Sequence, residues 1–140
     1  MQHDIAGAWH LKTWKRHHDD GTLEYPLGVA PRGILIYGTD GSMAVQMVVA
    51  DRPALDTDDP VGGPVEQRAA AYSTCLSYFG TYEVRDAEVV HHVEAALFPN
   101  WSDTTQARPF VFDDGQLILQ VKDASGRVTN EMIWERKTAS

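Results

Sequence analysis

His91 and Arg108 are the side chains of this sequence best suited to chemistry: an imidazole that can take or give a proton near neutral pH, and a cation that keeps its charge. Along residues 89–97, Val93, Ala95 and Leu97 alternate in one row with His91, while His92 and Glu94 occupy the other. Alternate residues of a strand share a face. His91 is therefore expected to point into an apolar interior, either as a hydrogen-bonded core group or as a general acid/base. A bulge in this strand would exchange the rows and bring the His92–Glu94 pair inside. On the following run, 104–112, Arg108 shares a row with Gln106, Phe110 and Phe112. If that aromatic row is inward, Arg108 sets a fixed cation inside, and a buried arginine calls for an anionic ligand group or an interior carboxylate. Glu131, in line with Ile133 near the C-terminus, is the candidate carboxylate, although Met132, Trp134 and Arg136 make the opposite row equally apolar. The alternative is that Arg108 carries its head to the rim.

Tyr37, Tyr82 and Trp101 each join an aromatic body to one polar tip, and Met43 and Met47 offer an adaptable apolar wall. Singly these are ordinary core residues. Together they describe an apolar chamber with a few polar groups, the general form of a small-molecule site. His17-His18-Asp19-Asp20 has the composition of a metal site, but neighbours in a hairpin turn diverge and cannot close round an ion, so no metal is expected. Cys75 reads as an inert buried thiol on a helix. Gly-x-Ser-x-Gly elbows, phosphate loops and dinucleotide fingerprints are all absent, and no cofactor is expected.

Strands must position these groups. Residues 9–18 alternate Trp9, Leu11 and Thr13 against His10, Lys12, Trp14 and Arg16, ending at the hairpin signal Asp20-Gly21. Residues 22–25 form a short strand, and the apolar run 34–37 is expected to be buried on both faces. Residues 42–49 place Met43, Val45, Met47 and Val49 on one side. The stretch 50–64, rich in Pro, Gly and Asp, has no period and reads as either a lid or a solvated crossover. The spacing of Val65, Ala69, Tyr72, Leu76 and Phe79 predicts one helix around residues 65–77, begun by Pro64 and plugging one end of the sheet. Period two returns over 78–84, 89–97, 104–112, 117–121 and 128–137, with Pro109 implying an edge or a bulge. Eight to nine strands joined mostly by hairpins predict an all-β fold, a closed antiparallel up-and-down barrel forming one domain over residues 1–140. Closure brings the first strand to the last and lays Arg136 over Trp9, a cation–π contact worth about 0.5–2 kcal/mol.

The totals narrow the partners. Twelve basic against 20 acidic residues give the 140-residue chain a net charge of −8, which repels phosphates and argues against nucleic acid and anionic membranes. No run approaches the roughly 20 apolar residues of a membrane span. A single cysteine allows no internal disulfide, and with no signal-like N-terminus a cytoplasmic protein is expected. A homodimer is among the assemblies left open.

The segment Val90-His91-His92-Val93-Glu94-Ala95-Ala96-Leu97-Phe98-Pro99-Asn100-Trp101 resembles the lipocalin-like domain family of short bacterial and fungal proteins. So do Gly7-Ala8-Trp9, Tyr25-Pro26-Leu27-Gly28, Arg32-Gly33-Ile34-Leu35-Ile36-Tyr37 and Gly80-Thr81-Tyr82-Glu83-Val84. The resemblance implies a calycin-type barrel with a cavity for an apolar small molecule, here with His91 and Arg108 orienting its polar end. Related domains include some that resemble cofactor-free isomerases or cyclases acting on natural-product intermediates. A second expectation is therefore catalysis, with His91 as general acid/base and Arg108 stabilising a developing enolate or carboxylate. A third is a haem-binding barrel with His91 as axial ligand.

Overall fold

Acidic-Gly turns set the connectivity of the protein. In the computed structural model, which describes residues 5–136, Asp114 (φ 52°) and Gly115 (φ 80°) both adopt the left-handed backbone that a tight two-residue hairpin requires. At Asp40-Gly41 the carboxylate accepts from the Ser42 N–H at 3.0 Å and fixes the turn. The elements are β1 (Gly7–His17), β2 (Leu23–Glu24), β3 (Arg32–Tyr37), β4 (Ser42–Val48), α1 (Val65–Ser73), β5 (Cys75–Arg85), β6 (Glu88–Ala96), β7 (Thr104–Asp113), β8 (Gln116–Lys122) and β9 (Val128–Arg136). A 3-10 helix, Pro99–Trp101, joins β6 to β7.

All strands are antiparallel in the order β2-β1-β3-β4-β5-β6-β7-β8-β9, and β1 also pairs with β9. Eight strands thus close a barrel, with β2 as a short extra ribbon on β1. At the seam Trp9 stands opposite Arg136, whose guanidinium lies 4.0 Å from the Trp9 ring centroid, and the Trp9 indole N–H donates to the Ile5 carbonyl at 2.9 Å. Inside, Trp9, Leu35, Tyr37, Val89, Leu117 and Trp134 are almost wholly buried. At about 25 cal/mol per Å² of apolar surface removed from water, such side chains contribute roughly 1.5–3 kcal/mol each.

Several elements differ from the sequence reading. The 34–37 run is covered on one face only: Leu35 and Tyr37 are 1% exposed but Ile36 is 42% exposed, because no described element covers the outside of this barrel wall. The helix stops at Ser73. Thr74 Oγ1 donates to the Ala70 and Ala71 carbonyls, and from Cys75 onward the backbone pairs with β4, Cys75 with Val48 and Leu76 with Met47. Cys75 is therefore a half-buried strand residue. Leu76 turns inward and Phe79 outward, so the spacing that suggested a longer helix spans two structures. No residue of α1 is buried, so it does not plug the barrel. Pro109 stands at a local edge, as expected: β7 pairs with β6 as far as Glu88–Pro109 but with β8 only from Phe110, so the proline has no β8 partner.

Of three register shifts among the described strands, two shape the inner wall around the site. Between Leu11 and Thr13 the β1 register shifts, which swings Trp14 onto the core. In β6 the shift falls at Glu94, since Gly80 pairs with Val93 and Phe79 with Ala95. Before it His91 and Val93 face inward. Beyond it the phase reverses, so that Ala96 rather than Ala95 or Leu97 packs on the core. Gly80 permits this crowding, because a Cβ there would collide with the His92 carbonyl and stand 2.9 Å from the Glu94 nitrogen.

Candidate functional site

Cross-strand register brings the polar interior residues to one region. His91 on β6 pairs with Tyr82 on β5 and Gln106 on β7, and Val89 pairs with Arg108. Directly opposed residues share a face, so Tyr82, His91, Gln106 and Arg108 all point inward. Tyr78, two positions beyond Gly80 on β5, and Tyr37 on β3 do the same.

His91 is 1% exposed and held from both sides. Its Nε2 lies 2.6 Å from the Tyr37 hydroxyl and its Nδ1 2.7 Å from the Tyr78 hydroxyl. Aromatic contacts extend the cluster at both ends. Tyr37 packs on Tyr82 at 4.6 Å between centroids, and Tyr82 donates to the Gly38 carbonyl at 2.8 Å. Tyr78 meets Trp101 edge-on at 5.9 Å, and the Arg108 guanidinium stands 6.0 Å from the Trp101 ring.

Burial dominates the electrostatics. Desolvation, helped by the Arg108 charge, lowers the His91 pKa to about 3, so the ring is neutral at physiological pH. Desolvation likewise holds the Tyr37 phenol well above its ordinary range and raises Tyr78 to about 12, with Arg108 opposing in both cases. Tyr82 rises for the same first reason, with Asp40 adding to it. Arg108 itself is half-buried and donates to Gln106 Oε1 at 3.3 Å and to the Ala107 carbonyl at 3.4 Å. Among the described residues no carboxylate forms an ion pair with it.

Several inward side chains are only partly covered: Trp14, Leu76, Trp101, Gln106, Arg108 and Phe110. β7 has no β8 partner before Phe110, so this part of the interior is only partly covered. A hollow of about 260 Å³ lies at the mouth, where Trp14, Leu27 and Leu76 meet Tyr72 of α1 and Phe98. Deeper in, the Trp134 indole N–H is buried with no acceptor among the described residues. A larger groove of about 400 Å³ is lined by Ile36, Phe79 and Leu97 on the outer wall and also by Tyr78.

A family model for the lipocalin-like domain matches residues 6–137. The chain belongs to the lipocalin-like domain family. Among solved structures, it is similar to a lipocalin-like protein from Bacteroides uniformis, with 15% identity over 96% of this chain and 99% of that one and a TM-score of 0.54. It is also similar to an uncharacterized protein from Bacteroides eggerthii (12% identity, 94% and 98% covered, TM-score 0.49) and to the fluorescent protein UnaG (12%, 98% and 100%, TM-score 0.43). A comparison with curated proteins finds no match.

Within this lipocalin-like barrel, Tyr37, Tyr82, His91, Trp101, Gln106 and Arg108 gather in one region, and Met43 and Met47 contribute buried core wall. Glu131 does not join them. The apolar row of β9 is the one with Met132 and Trp134, so Glu131 faces outward, where its Oε1 lies 2.8 Å from His17 Nε2. Outside the barrel too, His92 meets Glu83 at 2.8 Å and His18 meets Glu24 at 2.8 Å, so the histidines near the first turn pair separately. Tyr78 escaped the sequence reading. The signal was the alternation Tyr78–Gly80–Tyr82, which puts both tyrosines on the face of the strand that meets His91.

Proposed function

We propose that the protein binds an apolar small molecule in the barrel, with a polar end that is anionic or accepts hydrogen bonds. The observation that carries this reading is the imbalance of the inner polar groups, which are donors without matching acceptors. Among the described residues Arg108 has no carboxylate partner and the Trp134 N–H has no acceptor, and the tyrosine–histidine cluster holds one hydroxyl proton more than its hydrogen bonds use. Buried donors without acceptors are costly, so a carboxylate, carbonyl or acidic enol is the complement the chamber calls for. Tyr37, Met43, Met47, Tyr82 and Trp101 would form its walls, with Gln106 and Arg108 nearest the polar end. His91 acts through its tyrosines. Both its ring nitrogens are already hydrogen-bonded, so it offers no lone pair to a haem iron without surrendering one of those bonds. The lone cysteine suits a reducing compartment, and we place the protein in the cytoplasm on that ground.

Fluorescence titration with cis-parinaric acid and its methyl ester tests the proposal. The acid should bind at least about tenfold more tightly, equivalent to about 1.4 kcal/mol, and Arg108→Met should erase that preference. Binding of neither compound would defeat it.

A further inference from the structure

Tyr37, His91 and Tyr78 form a chain of two hydrogen bonds that, with a neutral ring, carries three exchangeable protons. One ring nitrogen must donate and the other accept. When Nε2 holds the proton it donates to Tyr37, Tyr78 donates to Nδ1, and the Tyr37 hydroxyl proton is surplus. When Nδ1 holds it, the surplus passes to Tyr78. No second hydrogen bond joins either hydroxyl to another described residue. The chain therefore presents one donor and one accepting phenol oxygen at its two ends, and a change of tautomer exchanges them.

We propose that this chain is a proton relay that catalyses keto–enol interconversion of a carbonyl compound held in the barrel. The proposal rests on the cavity reading above and adds a reaction to it. The α C–H bond of the ligand breaks as its proton passes to the Tyr78 oxygen. The Tyr78 hydroxyl proton moves to Nδ1, the Nε2 proton moves to the Tyr37 oxygen, and the Tyr37 hydroxyl proton forms the O–H bond of the enol. The C–H electron pair becomes the new C=C bond, and the carbonyl π pair takes the proton. Each protein group ends neutral, the imidazole has changed tautomer, and the reverse passage resets it.

Neutral transfer is what this environment favours. Burial opposes both an imidazolium and a phenolate here, and a concerted shift creates neither. Arg108 supplies positive potential for charge that grows on the ligand oxygen. His91 reaches the ligand only through its tyrosines, which alters the expectation that it would act directly as general acid/base.

The test uses the full chain with 2-tetralone, an apolar ketone with acidic α-hydrogens. Binding is read by quenching of tryptophan fluorescence, and loss of α-hydrogen in deuterated buffer is followed by NMR. The native protein should accelerate exchange about 100-fold or more over buffer. His91→Gln should return it to the buffer rate while the quenching midpoint holds, and Tyr37→Phe and Tyr78→Phe should abolish the acceleration as well. Glutamine retains a donor and an acceptor for the two phenols but has no ring to pass a proton through. Native protein that binds the ketone without accelerating exchange, or His91→Gln that exchanges as fast as native, overturns the relay and leaves the cavity standing. Failure to bind overturns both. If the variants do not fold, nitrogen NMR of His91 in the native chain decides: ring nitrogens averaged between the two tautomers support the relay, and a single locked tautomer overturns it.

Discussion

The two faces of β6 put neighbouring histidines in opposite situations. His91 looks inward, 1% exposed, with a phenol on each ring nitrogen and a pKa lowered to about 3. His92 looks outward, with Glu83 at 2.8 Å and Thr105 at 3.3 Å on a face open to water. The outer pair leaves its mark chiefly on Glu83, whose carboxyl is held below its usual range by the His92 hydrogen bond and then by Arg85. His92–Glu94 had the look of a dyad by spacing, yet the wall of the barrel decides the matter. Inside, a proton is confined to a chain of neutral groups; outside, solvent screens whatever the ion pair gains.

Acid should separate the two faces most sharply. The unfolded chain protonates His91 below about pH 6.5, whereas the folded chain resists protonation until about 3. The folded pKa is depressed, so this contribution is complete above about pH 6.5 and drains away as pH falls towards 3, at about 1.4 kcal/mol per unit. Urea midpoints measured between pH 7 and pH 4.5 should fall steeply for the native protein, and His91→Gln should flatten the profile. A native profile that is flat over this interval would mean that the inner ring is less isolated than its contacts imply. Glu83, whose folded pKa is also depressed, contributes above the ordinary glutamate range, and that contribution is lost as pH falls through its folded value. Glu83→Gln should therefore leave the slope between pH 7 and pH 5 unchanged.

Next in size is Gly80→Ala, which attacks the register that keeps the two histidines on their separate faces. The added Cβ meets the His92 carbonyl, a backbone atom that cannot move aside as a flexible side chain would. A loss of about 3 kcal/mol is expected, read as a lowered urea midpoint. An unchanged midpoint would show that the β6 bulge relaxes freely and that His91 is not pinned by it.

The closed barrel and the inward His91 were legible because they follow from period-two alternation and from turn chemistry. Trp9 and Arg136 meet as closure demands. What stayed hidden depends on register. Glu131 is an interior candidate by sequence, with its facing open, because a row of alternating residues does not reveal its facing until its partners are known; Met132 opposite Leu119 settles it. Alternation alone puts Ala95 and Leu97 beside His91, because a bulge adds one residue without any mark in composition. Spacing alone carries the helix past Thr74, because Leu76 and Phe79 satisfy helical spacing by coincidence while serving opposite faces of a strand. Tyr78 could be identified as a partner of His91 only after β5 and β6 were in register.

The finest comparison sets a conservative change on each face against the other. Tyr37→Phe keeps the ring, its packing on Tyr82 and the barrel wall, and removes one oxygen. His91 Nε2 then sits buried with no partner, at a cost of about 1–3 kcal/mol. His92→Ala breaks an outer hydrogen bond to Glu83, but water replaces the lost contacts, and no measurable shift in the urea midpoint is expected. Equal losses from the two substitutions would mean that Tyr37 and His91 are reached by water in solution. The donor surplus that selects an acceptor-bearing ligand would then disappear, because water would already supply the missing acceptors. A loss confined to Tyr37→Phe keeps the inner chain dry, which is the condition for its protons to be available to a bound molecule.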